Sequence, residues 1–452
     1  MSRPTPDDPA VSTAPAPTAE ERAALAARTV RIVFCAQILS GAGLAAGITV
    51  GALLAEDMIG REGVGGLPTA LFTIGSAAAA LLVGRVTQRS GRRLGLAVGY
   101  AVGALGGAGV VAAATIDSVA LLLGSMLLYG SGVATNLQAR YAGADLVPAS
   151  QRGRAVSTVL VATTLGGVVG PNLVELTGEF ATSLGTRALA GPFLLATVAY
   201  AGAATVVATF LRPDPFLTAS AWATADAAAI AGPADAAQAS ETSAAATGGP
   251  ASAPADNLGR DSAARDALML GTAAMVITQV VMVAVMTMTP IHMRDHGHGL
   301  ADTGLLISVH IAAMFLPSPI TGRLVDQVGR QPVIAAGGLV LAAAGLLAAL
   351  APADSMVLLT IALGLLGLGW NLGLVGGTAL VTDATPLSQR AATQGRIDLG
   401  VALAGATGGL GSGFMVAGTS YAALSLLGGA LALAILPFLV LTRAPAAARA
   451  AT

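Results

Sequence analysis

All four histidines of the chain, and seven of its twelve methionines, fall between Met269 and Met314. Within that stretch Met282 and Met286 stand four apart, as do His310 and Met314. Four residues is about one helical turn, so on a helix each pair shares a face. Thioether and imidazole suit Cu(I), whereas hard cations take carboxylate and carbonyl oxygens. The chemistry suggested is soft-metal ligation by Met282, Met286, His310 and Met314, set against the ordinary use of Met as adaptable core filler. A second group, Met288, His292, His296 and His298, is a candidate for collecting a metal at an outer mouth; a plain polar loop is the alternative.

The elements that must position these side chains are membrane helices. The chain is 54% hydrophobic and 10% charged, where an average soluble domain carries about 25% charged residues. Apolar runs occupy residues 30–54, 66–86, 94–114, 119–142, 155–176 and 189–211, then 267–290, 301–324, 332–351, 355–380, 397–418 and 420–441. Each is long enough to cross a hydrocarbon core of about 30 Å. The first metal pair lies in the seventh run, with Met282 eight residues before Pro290; His310 lies nine residues into the eighth. Two antiparallel helices therefore carry them at similar depth, and an ionisable His310 at that depth reads as functional. As a ligand it must be neutral, so metal uptake is expected to weaken as it protonates in acid.

With both termini inside, twenty of the 23 arginines fall on the cytoplasmic side, leaving Arg61, Arg187 and Arg294 outside. The positive-inside rule thus predicts twelve spans in the cytoplasmic membrane with both termini cytoplasmic. The expected divisions are a disordered tail 1–28, a six-helix bundle 29–212, a flexible linker 213–266, a second bundle 267–442 and a tail 443–452. The Pro, Ser, Thr and Ala of the linker lack periodicity. Cys35 is the only cysteine, so no intramolecular disulfide can form. A net charge of −1 gives no sign of nucleic-acid binding, and no nucleotide loop, hydrolytic triad or zinc-deaminase pattern marks an enzyme.

The two bundles repeat at an offset of 238 residues. Gly84-Arg85 and Gly91-Arg92 recur as Gly322-Arg323 and Gly329-Arg330, and the run Asp145 to Arg152 recurs as Asp383 to Arg390. Parallel six-helix repeats of this kind resemble the major facilitator superfamily. So does the loop pattern Gly322, Asp326, Gly329, Arg330, with its weaker copy from Gly84 to Arg93, where Gln88 takes the acidic position. The resemblance implies an all-α membrane fold of twelve helices in two pseudo-repeats. It also implies a cytoplasmic gate at Gly84, Arg85, Arg89, Gly91, Arg92, Gly322, Arg323, Asp326, Gly329 and Arg330. Arg140, Asp145, Arg152, Asp383 and Arg390 are expected to form inter-helix ion pairs that break and remake as the halves rock. Asp398 is a candidate coupling carboxylate. Gln279, Asn136 and Asn371 are candidates either for lining the cavity or for hydrogen-bonding between helices. Gly166-x-x-x-Gly170-Pro171 resembles part of a motif of proton-coupled exporters, but Val174 and Glu175 stand where its closing glycines belong; packing is the simpler reading.

The pair of motifs, in order and on the seventh and eighth helices, is similar to the CcoA-type copper importers, which serve cytochrome oxidase assembly; riboflavin importers resemble the same subfamily. What this implies is copper as the transported substrate, through contacts at Met282, Met286, His310 and Met314, with no resident cofactor. The expected partners are a copper ion or small copper complex, the lipid bilayer and a copper chaperone, with the chain acting as a monomer. Two rivals stay open: a transporter of an organic solute, either a riboflavin-like importer or a drug exporter, and a membrane copper sensor or assembly factor that does not transport.

Overall fold

The computed structural model describes residues 17–59, 66–229 and 255–440. Most of those residues are helical and none is in a strand. The first half comprises α1 (Ala19–Ile59), α2 (Gly66–Ser90), α3 (Arg92–Ile116), α4 (Val119–Ala144), α5 (Arg152–Asn172), a short α6 (Val174–Ser183) and α7 (Gly191–Phe210). After α8 (215–229) the second half follows as α9 (Ala255–Asp295), α10 (Leu300–Phe315), α11 (Ser318–Gln327), α12 (Arg330–Leu350), α13 (Met356–Ala384), α14 (Leu387–Gly418) and α15 (Tyr421–Leu433). Eleven helical segments among the described residues are long and apolar enough to cross a membrane. Helix α5, packed against α1 and α11, completes the twelve expected.

Serines stop and start the helices where the apolar runs predict. Ser118, Ser355 and Ser420 accept from the N–H three residues on and cap α4, α13 and α15, satisfying orphan donors at each start. Small residues set the packing. Gly106 and Gly130 lie on neighbouring backbone in the first half, and Gly345 and Gly369 do so in the second; where lipid supplies no hydrophobic drive, such close approach holds helices together. Gly166 packs on the backbone of α1 at Ala42, in keeping with a packing role.

Two boundaries differ from the sequence expectation. The tail expected over 1–28 is already helical from Ala19, and residues 215–229, inside the expected flexible linker 213–266, form α8. The reason is local: Asp214 Oδ1 accepts from the N–H groups of Phe216 and Leu217 at 3.0 and 3.1 Å, with Pro215 in the first turn, where its missing N–H costs nothing. Phe216 and Ala219 are then buried, and Trp222 packs with Ala26 and Leu146. Residues 255–266 of the expected linker belong to α9. Residues 1–16, 230–254 and 441–452 lie outside the described residues.

The eighth span is in two pieces. Pro317 separates α10 from α11, since it has no N–H to donate and its ring crowds the preceding turn. Asn371 on α13 repairs the break: its Nδ2 donates to Met314 O and Ser318 Oγ, both at 2.7 Å, and its Oδ1 accepts from Thr321 at 2.6 Å.

Candidate functional site: the inter-half gate and the central gap

The hydrogen bonds and ion pairs identified between the halves cluster at the arginine-rich face, and several of them come in pairs related by the 238-residue repeat. Asp326 on α11 accepts from Gly153 N and Arg154 N at the start of α5, at 2.8 and 2.9 Å. Its counterpart Gln88 on α2 accepts through Oε1 from Ala391 N and Ala392 N at the start of α14, at 3.0 and 3.2 Å. Each therefore accepts from backbone N–H groups in the first two turns of a helix of the opposite half, and the amide performs at Gln88 the acceptor role a carboxylate performs at Asp326. Gln88 also donates to Ser388 O at 2.8 Å, which a carboxylate cannot do. Beneath these contacts the backbones touch: Gly84 lies against Gly395 and Ala391, and Gly322 against Gly153 and Ser157.

The charged residues repeat the same symmetry. Arg92 Nε binds Asp145 at 2.7 Å, and Arg330 Nε binds Asp383 at 2.9 Å. Arg92 also reaches Gln394 and Arg152 reaches Asp383, both across the halves. Gly91 and Gly329, just before Arg92 and Arg330, have φ of 91° and 107°, a region that glycine enters at no cost. Deeper in, Arg140 Nη2 of α4 meets Asp398 Oδ1 of α14 at 2.7 Å, with Tyr141 OH 3.3 Å from the same oxygen and Thr378 Oγ1 3.0 Å from Arg140 Nε. Asp398 Oδ2 is buried without a hydrogen-bond partner. Arg85, Arg89 and Arg323 are exposed. The halves are thus closed at the arginine-rich face.

The metal candidates divide. On α9, Met275 and Thr278 meet α13, Val280 and Val283 meet α14, and Val281 and Val285 meet α15. With about 100° per residue, Gln279 and Met286 project into the gap between α13 and α14, opposite α15. Met282 falls nearer the α13 seam and is buried, as is Met288. His310 sits in the seam between α10 and α13, fully buried, with Nδ1 2.8 Å from Leu363 O. A carbonyl only accepts, so Nδ1 carries the proton and Nε2 holds a lone pair, which has no partner. Met314 is half-buried beside it, its backbone N against Gly367 of the same α13. Helices α9 and α10 each pack on α13 and touch each other only slightly, so the two pairs flank α13 rather than forming one continuous ladder. Depth along the axis was legible in the sequence; the angle around it was not.

At the opposite face His292 stacks on Tyr421 with ring centroids 4.3 Å apart and lies beside His296 at 4.4 Å. His298 Nε2 is 3.0 Å from Ala353 O, which ties that ring to a neighbouring loop. Asn136 is buried and bonds Ser40 Oγ, while its carbonyl accepts from Gln37, so it joins α1 to α4. Gln279 alone of the three cavity candidates is half-exposed, its Oε1 accepting from Trp370 Nε1 at 2.7 Å. Phe315 packs edge-on against Trp370 with centroids 5.6 Å apart. No motif or spacing in the sequence marks that aromatic pair, because the two residues lie 55 positions apart on different helices.

The family model for the Major Facilitator Superfamily matches residues 33–290 and 268–452. The chain belongs to the major facilitator superfamily. It is a multi-pass secondary transporter of that superfamily. It is 51% identical over 421 residues to the uncharacterized MFS-type transporter YddS of Bacillus subtilis, covering 93% of this chain and 92% of the relative. It is 31% identical over 378 residues to the riboflavin transporter RfnT of Brucella anthropi, covering 83% and 86%. The superfamily proton:xylose symporter XylE shares the fold with a TM-score of 0.70 at 16% identity, over 92% of this chain and 95% of that one.

Proposed function

We propose that the transported substrate is a small planar organic solute of the flavin class. The observation that carries this reading is the half-exposed Gln279 amide at the gap between α13 and α14, held by Trp370, with Phe315 packed edge-on against the indole. Trp370 and Phe315 are buried with the halves in this arrangement, so their faces become available to a substrate as the halves rock. Aromatic faces with one oriented amide are what a heteroaromatic ring needs, because stacking supplies area and the amide supplies orientation. With Gln279 Oε1 held by the Trp370 indole, its Nε2, facing α14 at Gly405, is left to donate to a ring carbonyl. The likeness to a riboflavin transporter over most of both chains supports the same class. The test is uptake of radiolabelled riboflavin by cells lacking flavin import and carrying this chain. Uptake is expected with the wild type and lost with Trp370→Ala at equal membrane abundance; no uptake above empty cells would end this reading.

A second reading, copper import with the metal as substrate, is favoured by one feature. His310 donates Nδ1–H to a carbonyl and keeps Nε2 as a buried lone pair, the arrangement that metal-binding histidines adopt. Met314 and Met286 are the thioethers nearest to completing such a path. Because α13 stands between the two pairs, this reading requires rocking to bring them together. His292 and His296 then serve as the outer collecting pair, and a copper chaperone as the inner recipient. Uptake of radioactive copper that depends on His310, with riboflavin uptake absent, supports copper over flavin. Metal binding to reconstituted protein without accumulation in vesicles points instead to a sensor.

A further inference from the structure

The pseudo-symmetry of the gate has one unmatched member. Arg92 and Arg330 each bind the aspartate of their own half, and Arg152 crosses to Asp383. By the repeat, Arg390 corresponds to Arg152 and should cross to Asp145. Both oxygens of Asp145 are instead engaged by Arg92, at 2.7 and 3.4 Å. Arg390 is 6% exposed, and only its Nε is engaged, donating to Thr385 O at 3.2 Å. Among the described residues no carboxylate comes within ion-pair reach of it. Its nearest carboxylates, Asp145 and Asp383, are already bound by other arginines, so a cation that deep is only partly compensated, which is costly.

The same guanidinium lines a chamber of about 740 Å³ at the arginine-rich face. Arg31, Arg152 and Arg154 line it as well. Arg22 lies there too but is committed to Asp226 at 2.7 Å, and Asp145 is committed to Arg92. Asp383 is shared between Arg152 and Arg330, so positive charge exceeds negative around this space. Arg152 Nε is buried with no hydrogen-bond partner. The remaining wall is apolar, built from Ala26, Leu146, Ala219 and Trp222, so the chamber offers an oily flank beside its basic end. It exists because α8 folds back on the start of α1.

We propose that this chamber binds a phosphate-bearing anion, which supplies the direct ion-pair partner that Arg390 lacks and ties the second half to α1, α5 and α8 of the first. Planar guanidinium forks match phosphate oxygens two at a time. The apolar flank suits the glycerol and upper acyl part of a lipid, and a soluble phosphate shares the same headgroup chemistry. Occupancy favours the closed gate, because Arg390 and Arg152 sit on opposite sides of the seam.

The test uses the full chain in nanodiscs of phosphatidylcholine alone or with phosphatidylglycerol, and inorganic phosphate titrated into the first. The readouts are the thermal unfolding midpoint and the fluorescence of Trp222 in a Trp370→Phe background. Stabilisation by phosphatidylglycerol alone assigns a lipid, and stabilisation by inorganic phosphate alone assigns a soluble anion; both support the site. Arg390→Gln should weaken the bound anion about tenfold or more, the loss of one charge-assisted bond. Ala223→Phe, which fills the chamber without removing charge, should do likewise, while Arg294→Gln at the far face should not. No response to either anion, or equal responses in wild type, Arg390→Gln and Ala223→Phe, overturns the proposal.

Discussion

Gly84→Ala is predicted to open the arginine-rich face. An added Cβ would stand 2.7 Å from Gly395 Cα and 2.9 Å from Ala391 O. Carbon atoms rest at about 3.5–4.0 Å, and both obstacles are backbone, so no rotamer change relieves the contact. Helices α2 and α14 must part by about 1 Å, and over-packing of this kind costs about 1–3 kcal/mol. The penalty applies only while the halves touch. The closed-to-open ratio should therefore fall about 5- to 150-fold. Ser157, buried on the matching seam against Gly322, offers a reporter: Ser157→Cys in a Cys35→Ser background, labelled with a maleimide from the arginine-rich side. The rate should rise by the same factor in Gly84→Ala. An unchanged rate in a protein with an unchanged unfolding midpoint would show that the glycine seam does not control closure.

Gln88→Ala and Asp326→Ala should each speed the same labelling, since each removes hydrogen bonds that join the halves, at about 0.5–1.5 kcal/mol per bond. Only the Asp326 effect should shrink at high salt, because only that acceptor is charged; equal salt responses would contradict the symmetric assignment. Asp398→Asn leaves Arg140 buried without its counter-charge, which costs about 3–5 kcal/mol. Transport should fall and the midpoint drop, and a silent variant would remove the pair from the coupling path. Asn371→Leu strands Met314 O and the Thr321 hydroxyl at the helix break, at about 1–3 kcal/mol each, and should lower the midpoint by several degrees.

The fold was legible because the signals were repeated and one-dimensional. Twelve apolar runs, an arginine bias and a fixed offset between Asp145 and Asp383 survive without knowing any contact. The partners Asp145–Arg92 and Asp383–Arg330 were not readable, although the residues were, because pairing depends on how α3 and α12 turn at Gly91 and Gly329. Gln88 looked like a defect because the pattern asks for an acid; the helix start it faces needs only an acceptor. Asp214-Pro215 is a helix-start signal in plain view, masked by the low-complexity sequence that follows. The spacing places Met282 and His310 at similar distances from the loop that joins their helices, but a helix wheel has no fixed zero until α13 and α14 are in place around it.

The break at Pro317 has a counterpart position in α2 at Ala79, where the helix runs on unbroken. One arm of the duplicated gate is therefore a rigid rod and the other is jointed. The lower piece, α11, stays fastened to α5 through Gly322 and Asp326, while the upper piece, carrying His310, is packed on α13 and joined to α11 across the break by the side chain of Asn371. A joint there would let α10 tilt while α11 stays fastened to α5 at the arginine-rich face. A substitution at the joint is therefore expected to change the rate of substrate capture more than that of release, which uptake and efflux rates measured separately would check.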